Sequence, residues 1–257
     1  MNRMFAYFKI LIIFIIITLT HPYLFIILFK KNFKKNLKIQ NKSLIKEYEN
    51  KGFTSIELSK KDLKYIFFYK KIISKIIFLN KFLFKNILID KKYYFYTNND
   101  IIKHQLFFPN IENILKENLN QLLEDILGKD FKIVSFLWQR NMFFPDSYSE
   151  ELYSNFWHYD FKRMPNRWCR VMIYLTKQGE AESIQLFDLK TSKFALKNKL
   201  YGRYPQNKLP DLIKNKKYYS SPGLEGTVKI INTADLLHRA GHLPKGKIRD
   251  VFFIIMV

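Results

Sequence analysis

The spacing of apolar positions changes twice along this chain. Residues 10–29 are almost continuously Ile, Leu, Phe and Tyr, interrupted only by Thr18, Thr20, His21 and Pro22, and are flanked by Lys9 and Lys30-Lys31. Twenty such residues span a hydrocarbon core as a helix, so residues 1–30 are predicted to be a transmembrane or membrane-anchoring segment. No small-x-small cleavage site follows, which disfavours a signal peptide. The other alternative is an apolar helix that packs on the domain or lies on a membrane. Between 63 and 89 the pattern becomes helical, with Ile66, Phe67, Ile72, Ile73, Ile76, Ile77 and Leu79 spaced among lysines. Residues 111–127 repeat that period (Ile111, Leu115, Leu119, Leu122, Leu123, Ile126) and stop at Gly128, a common helix terminator.

After Gly128 the period shortens. Residues 131–138, 156–160, 169–175, 183–188, 227–231 and 250–257 read as short strands between turn residues, as do Gly52-Phe53-Thr54-Ser55-Ile56 and 93–96 further upstream. Residues 189–222 show no clear period and are predicted to form long loops. Helices first and strands afterwards predict an α+β fold whose strands form a double-sheet jelly roll or barrel. The expected organisation is residues 1–30 as the apolar segment and 31–257 as one domain. Within that domain, 31–128 is mainly helical cover and 129–257 the jelly-roll core, with 189–222 as an insert.

Composition narrows the function classes. Net charge is +22, with 20 Lys/Arg against 6 Asp/Glu in residues 1–100 and 24 against 16 in the remainder. Lys, Ile, Asn, Phe and Tyr are all over-used and all have AT-rich codons, so base composition accounts for much of the charge. No nucleic-acid recognition motif accompanies it, and no nucleic-acid partner is expected. The excess of lysines after residue 29 (Lys30, Lys31, Lys34, Lys35, Lys38) places the C-terminal part in the cytoplasm if 10–29 spans a membrane; a soluble cytoplasmic chain is the alternative. Cys169 is alone, which excludes a disulfide framework and a cysteine-based zinc site. Phosphate-binding glycine loops and nucleophile elbows are missing.

Candidate chemistry begins at Phe156-Trp157-His158-Tyr159-Asp160. Positions i and i+2 of an extended strand share a face, so His158 and Asp160 can present a nitrogen and a carboxylate oxygen to one point. That pair is two thirds of the facial triad of non-haem iron(II). His21 lies in the apolar segment and His104 precedes the strands, which leaves His238 and His242 as partners. His238 ends the strand-like run Ala234-Asp235-Leu236-Leu237-His238, and His242 falls in the following Gly/Pro turn. The last strand is expected to return antiparallel beside that run. It begins with Arg249, which shares a face with Val251, Phe253 and Ile255. A buried arginine needs an anion, and a planar guanidinium suits a carboxylate. Iron with a nearby arginine is what 2-oxoglutarate requires, its keto-acid end on the metal and its distal carboxylate on Arg249.

These residues carry a family resemblance. Trp157-His158-Tyr159-Asp160, then Gly226-Thr227-Val228 leading to Asn232-Thr233-Ala234-Asp235-Leu236-Leu237-His238-Arg239-Ala240, then Arg249, resemble the phytanoyl-CoA dioxygenase family of iron(II)/2-oxoglutarate oxygenases. The resemblance covers roughly residues 45–257 and is motif-grade over 155–175 and 223–253. It implies a double-stranded β-helix (jelly-roll) core with N-terminal helices. It further implies Fe(II) held by His158, Asp160 and His238, 2-oxoglutarate held by Arg249, and O2 as the second co-substrate. The chain departs from the family at Gly179-Glu180-Ala181-Glu182-Ser183-Ile184, where many members carry a Pro-Gly-Ser-His-like turn.

The implied reaction hydroxylates a small-molecule or lipid-like substrate while 2-oxoglutarate becomes succinate and carbon dioxide. Asp160 favours hydroxylation, because related halogenases leave that position to chloride. Trp157 and Tyr159 are expected to pack beside the site and Arg239 to face away from it, while Arg163, Arg167 and Arg170 could meet an anionic substrate, a solvated face being the commoner fate of such charges. No obligate protein partner is evident. A membrane-associated scaffold or binding protein on a degenerate oxygenase fold is the competing class, and a lost metal ligand would distinguish it.

Overall fold

The structure is a computed structural model that describes residue 15 and residues 41–83, 111–142, 155–160 and 168–257. The expected strand at 93–96, His21, His104, Arg163 and Arg167 lie outside the described residues, as does the apolar segment 10–29 except for Ile15. Among the described residues no helix is long and apolar enough to cross a membrane.

Three helices precede most of the strands: α1 (Asn41–Lys51), α2 (Lys60–Leu83) and α3 (Ile111–Leu127). Strand β1 (Phe53–Glu57) follows α1, and β2 (Ile133–Met142), β3 (Cys169–Tyr174) and β4 (Gln185–Phe187) follow α3. Next come α4 (Leu189–Lys197), a short 3-10 turn at Gln206–Lys208, and α5 (Asp211–Lys214). Strands β5 (Tyr218–Ser220), β6 (Thr227–Ile231), β7 (His238–Arg239) and β8 (Ile248–Met256) complete the chain. The strands form a five-stranded sheet in the order β1-β6-β3-β8-β2 and a three-stranded sheet in the order β5-β4-β7. Their pairings are antiparallel.

Alternation along each central strand builds two layers. Cys169, Val171 and Ile173 of β3, Val228 and Ile230 of β6, and Phe252, Ile254 and Met256 of β8 face the helices. They pack there with Leu115, Leu119, Leu122, Leu123 and Leu127 of α3. The leucines recur on one face of a helix that closes at Gly128, whose positive φ of 99° suits glycine and whose N–H donates to the Glu124 carbonyl. Each fully buried leucine contributes about 1.5–3 kcal/mol relative to an exposed one. The opposite faces of the same strands supply Met172, Tyr174, Ile231 and Val251, which meet Ile184, Leu186 and Leu236 from the small-sheet side. The candidate site lies in this second layer, between the sheets.

Four expectations are corrected. Residues 189–222 are not mainly loop: α4 and α5 lie within them. The inward face of α4 is made of Ser192 and Ala195, small residues that give no apolar signal, and Asp188 caps it by accepting from the Thr191 N–H at 2.6 Å. The run before His238 is a turn, in which Asn232 Oδ1 accepts from the Asp235 N–H at 3.1 Å, and only His238–Arg239 is strand. Likewise 156–160 is not a continuous strand; Trp157 and His158 form isolated bridges to Tyr204 and His238. Strand β8 does not return beside β7. It crosses to the large sheet between β3 and β2, because a strand with large apolar side chains on both faces is buried fully only in a sheet's interior.

Candidate metal centre

His158 and His238 face each other across an antiparallel bridge. Each backbone N–H donates to the other's carbonyl, at 2.9 Å and 3.0 Å, so both imidazoles project from the same side with ring centroids 4.5 Å apart. Asp160 projects to that side two residues on, and its N–H donates to the Thr233 carbonyl at 3.0 Å. Both imidazoles are oriented alike. His158 Nδ1 lies 2.6 Å from the Phe156 carbonyl oxygen, and His238 Nδ1 lies 2.9 Å from that of Leu236. A carbonyl can only accept, so each Nδ1 carries a proton, and in the neutral imidazole that leaves the Nε2 lone pair free to ligate.

Those lone pairs converge on Asp160, with His158 Nε2 at 3.6 Å from Oδ1 and His238 Nε2 at 3.6 Å from Oδ2. One donor atom from each of the three residues lies within 4.8 Å of the others. Two ligands at about 2.0–2.3 Å from one ion, near right angles to tetrahedral, stand roughly 3–3.7 Å apart. His238 Nε2 and Asp160 Oδ2 are buried with no hydrogen-bond partner, which a folded core ordinarily avoids. The donor set therefore fits a divalent cation of the iron(II) type.

Protonation states agree with that fit. Burial pushes the His238 imidazolium down to about 4, and the nearby His158 and Arg170 add to the effect against the opposing pull of Asp160. Burial alone would raise Asp160, but Arg170, His238 and His158 outweigh it and hold its carboxyl well below the usual carboxylate range. His238 is thus neutral and Asp160 ionised at neutral pH, the forms that ligate.

The inward face of the large sheet brings two arginines to the site. Arg170 of β3 is not solvated: its Nη2 lies 2.7 Å from Asp160 Oδ2. The approach is an ion pair whose angle falls outside hydrogen-bond geometry, and the guanidinium carbon stands 5.5 Å from the Phe253 ring centroid. Arg249 is buried, as its inward register predicts. Its Nη1 donates to the carbonyls of Glu182 at 2.6 Å and Gly241 at 3.2 Å. Register pairs Arg249 with Asn141 of β2. With its amide oxygen turned to the guanidinium, Asn141 accepts from Nε at 3.0 Å and Nη2 at 2.8 Å. A cavity of about 90 Å³ joins the histidines to Arg170, Arg249, Asn141 and Tyr174.

Other expected residues fall where the alternation places them. Trp157 is fully buried behind the site, and Tyr159 donates its hydroxyl proton to the Ser192 carbonyl at 2.9 Å. Arg239 points to the other face, over the Trp157 ring, and His242 is exposed in its turn. Asn141 and Gln139 line the site and were missed by sequence reasoning, which left Arg170 between an anionic substrate and solvent. The signal for Arg170 was available, since it shares a period-2 face with Met172 and Tyr174.

No family profile matches the sequence, and no curated protein matches it. Solved structures do match. The 2-oxoglutarate-dependent carbocyclase SnoK from nogalamycin biosynthesis aligns with TM-score 0.54 and 12% identity over 86% of this chain and 84% of its own. The epimerase SnoN from the same biosynthesis gives 0.55 and 11% over 84% and 82%. EctD from S. alaskensis, solved with bound Fe, gives 0.53 and 13% over 88% and 79%. The chain shares its fold with these three enzymes. At such identities the likeness concerns the fold; the chemistry rests on this chain's own residues.

Proposed function

We propose that the chain is an iron(II)- and 2-oxoglutarate-dependent dioxygenase of the phytanoyl-CoA dioxygenase type, hydroxylating a small-molecule or lipid-like substrate. One observation carries the proposal: the buried convergence of His158 Nε2, His238 Nε2 and Asp160, with His238 Nε2 left without a hydrogen-bond partner. Iron(II) bound there with 2-oxoglutarate and O2 would supply oxidative decarboxylation coupled to hydroxylation of a C–H bond.

The protein's own contribution is geometric and electrostatic. The carbonyls of Phe156 and Leu236 hold both imidazoles with Nε2 forward. Asp160 adds the single negative charge, in the position whose occupation by a carboxylate favours hydroxylation. Arg249 is the residue for the distal carboxylate of 2-oxoglutarate. Its Nη1 is fixed by two backbone carbonyls, so the guanidinium plane is preset, and the edge now facing Asn141 is the one suited to a bidentate carboxylate. In this reading Asn141 turns and donates its amide when the carboxylate enters. Met172, Ile184 and Phe253 give the cavity apolar walls that limit water. The degenerate-scaffold alternative requires a missing ligand, and none of the three is missing. Residues 10–29 are retained as the membrane attachment, with the C-terminal part on the cytoplasmic side, which fractionation and protease protection would test.

The deciding experiment titrates the full chain with Fe(II) and then 2-oxoglutarate, anaerobically, and measures succinate release in air. His158→Ala is expected to lose Fe(II) binding. Arg249→Lys is expected to keep Fe(II) and weaken 2-oxoglutarate about tenfold or more, because a point charge cannot replace a planar fork. A native chain that binds neither ligand ends the proposal.

A further inference from the structure

Residues 189–218 hold nine Lys/Arg against one acidic residue, Asp211, and all nine basic side chains are exposed. Codon bias does not account for such asymmetry, since residues 111–142 of the same chain carry four basic against five acidic residues. The stretch also holds four of the eight exposed large hydrophobic side chains among the described residues: Phe194, Tyr201, Leu212 and Tyr218. Leu212 is 50% exposed and Phe194 43%. At about 100° per residue, Lys190, Lys193, Phe194 and Lys197 fall on one side of α4, and the buried Ser192 and Ala195 fall opposite. The inward side is fixed. Ala195, Leu209 and Ile213 pack on Trp157, Phe187 and Leu237, and Ser192 Oγ accepts from the Leu237 N–H at 3.0 Å.

We propose that the outward side of residues 189–218 is a docking surface for an anionic lipid bilayer. Flexible lysine stems carry charge to the headgroups while Phe194 and Leu212 enter the interfacial region, the arrangement by which basic amphipathic surfaces bind such membranes. The alternative anionic macromolecule is nucleic acid. Eight of the nine basic residues are lysines, which act as point charges, whereas recognition of nucleic-acid phosphates and bases favours the arginine fork. Leu237 precedes His238, so docking would set the small sheet with its outer layer against the bilayer and the candidate metal centre one sheet behind it.

The test measures partitioning of the full chain onto vesicles of phosphatidylcholine alone and of phosphatidylcholine with about one quarter phosphatidylglycerol. The native chain is expected to bind the anionic vesicles about tenfold or more tightly, with the preference falling as salt rises. Changing Lys190, Lys193 and Lys197 to Glu together should remove the preference. Phe194→Ser should weaken anionic binding while leaving its salt dependence unchanged. Any contribution from residues 10–29 is common to native and variant chains and cancels in the ratio. Lys208, Lys214 and Lys216 changed to Glu serve as a second variant should the first fail to fold. Equal binding of the native chain to both vesicles, or a preference that survives both variants, overturns the proposal. Tighter binding to polyuridylate than to anionic vesicles, lost in the same variants, overturns it in favour of nucleic acid. Fe(II) and 2-oxoglutarate titrations on the same proteins should be unaffected, so failure here is distinct from failure of the oxygenase reading.

Discussion

Acidifying the metal-free protein tests the candidate centre without any substrate. Burial lowers His238 from an ordinary value of 6.5 to about 4 in the folded chain. Between those values the unfolded chain binds the proton that the folded chain refuses. Stability therefore rises with pH through this window, is fully present above about 6.5, and is lost as pH falls toward 4. Each pH unit is worth about 1.4 kcal/mol, so the whole window is worth about 3 kcal/mol. Asp160 stays ionised throughout, because its carboxyl is held below the usual range. The assay is urea unfolding in chelator at several pH values between 4 and 7.5, for the native chain and His238→Gln. Other titrating groups act on both proteins, so the difference between the two curves isolates His238. The native chain should lose about 3 kcal/mol more than the variant over the window. A difference that is flat with pH would mean that His238 is not a buried neutral imidazole, and the lone-pair convergence on Asp160 would fail with it.

Two further perturbations probe what supports the site. A Cβ at Gly241 would lie 2.2 Å from the Ser183 carbonyl oxygen and 2.4 Å from that of Ala181, backbone that cannot swing aside as a side chain can. Gly241→Ala should therefore cost about 1–3 kcal/mol in urea unfolding and shift the Glu182 and Gly241 carbonyls that hold Arg249. In titrations it should weaken 2-oxoglutarate while sparing Fe(II). Trp157→Ala removes a fully buried ring packed on Phe187 at 4.5 Å between centroids and should cost about 3–5 kcal/mol by the same assay.

The parts that the sequence made legible share a property: large apolar residues repeat at a clear period in them. Helix α3, with its leucines, and strands β3, β6 and β8 are of this kind, and the inward register of Arg249 follows from the last of them. Helix α4 escaped because Ser192 and Ala195 make its buried face, so its contact is close but leaves no hydropathy trace. The candidate metal ligands were picked out by residue type and order. Their pairing was not, because an isolated bridge between two residues 80 positions apart has no local signature. Arg170 was left between an anionic substrate and solvent for a related reason. Only strand register separates an inward arginine from a solvated one. Asn141 became relevant only through its pairing with Arg249 across two strands that are distant in sequence.

The reciprocal bridge between His158 and His238 also bears on what this scaffold can tolerate. Two of the three candidate ligands are held by the hydrogen-bond spacing of antiparallel backbone, a length common to all proteins, and the third is two residues from the first. Between the two histidines the arrangement draws on a few fixed points, namely Asp160 itself, the Thr233 carbonyl that accepts from its N–H, and Arg170 beside its carboxylate. The outward faces of the helices over the small sheet could be recharged without touching those bonds, as long as the inward Ser192 and Ala195 stay in place. One chemical centre can in this way serve many surroundings, with reactivity fixed by the backbone and the choice of partner left to the insert.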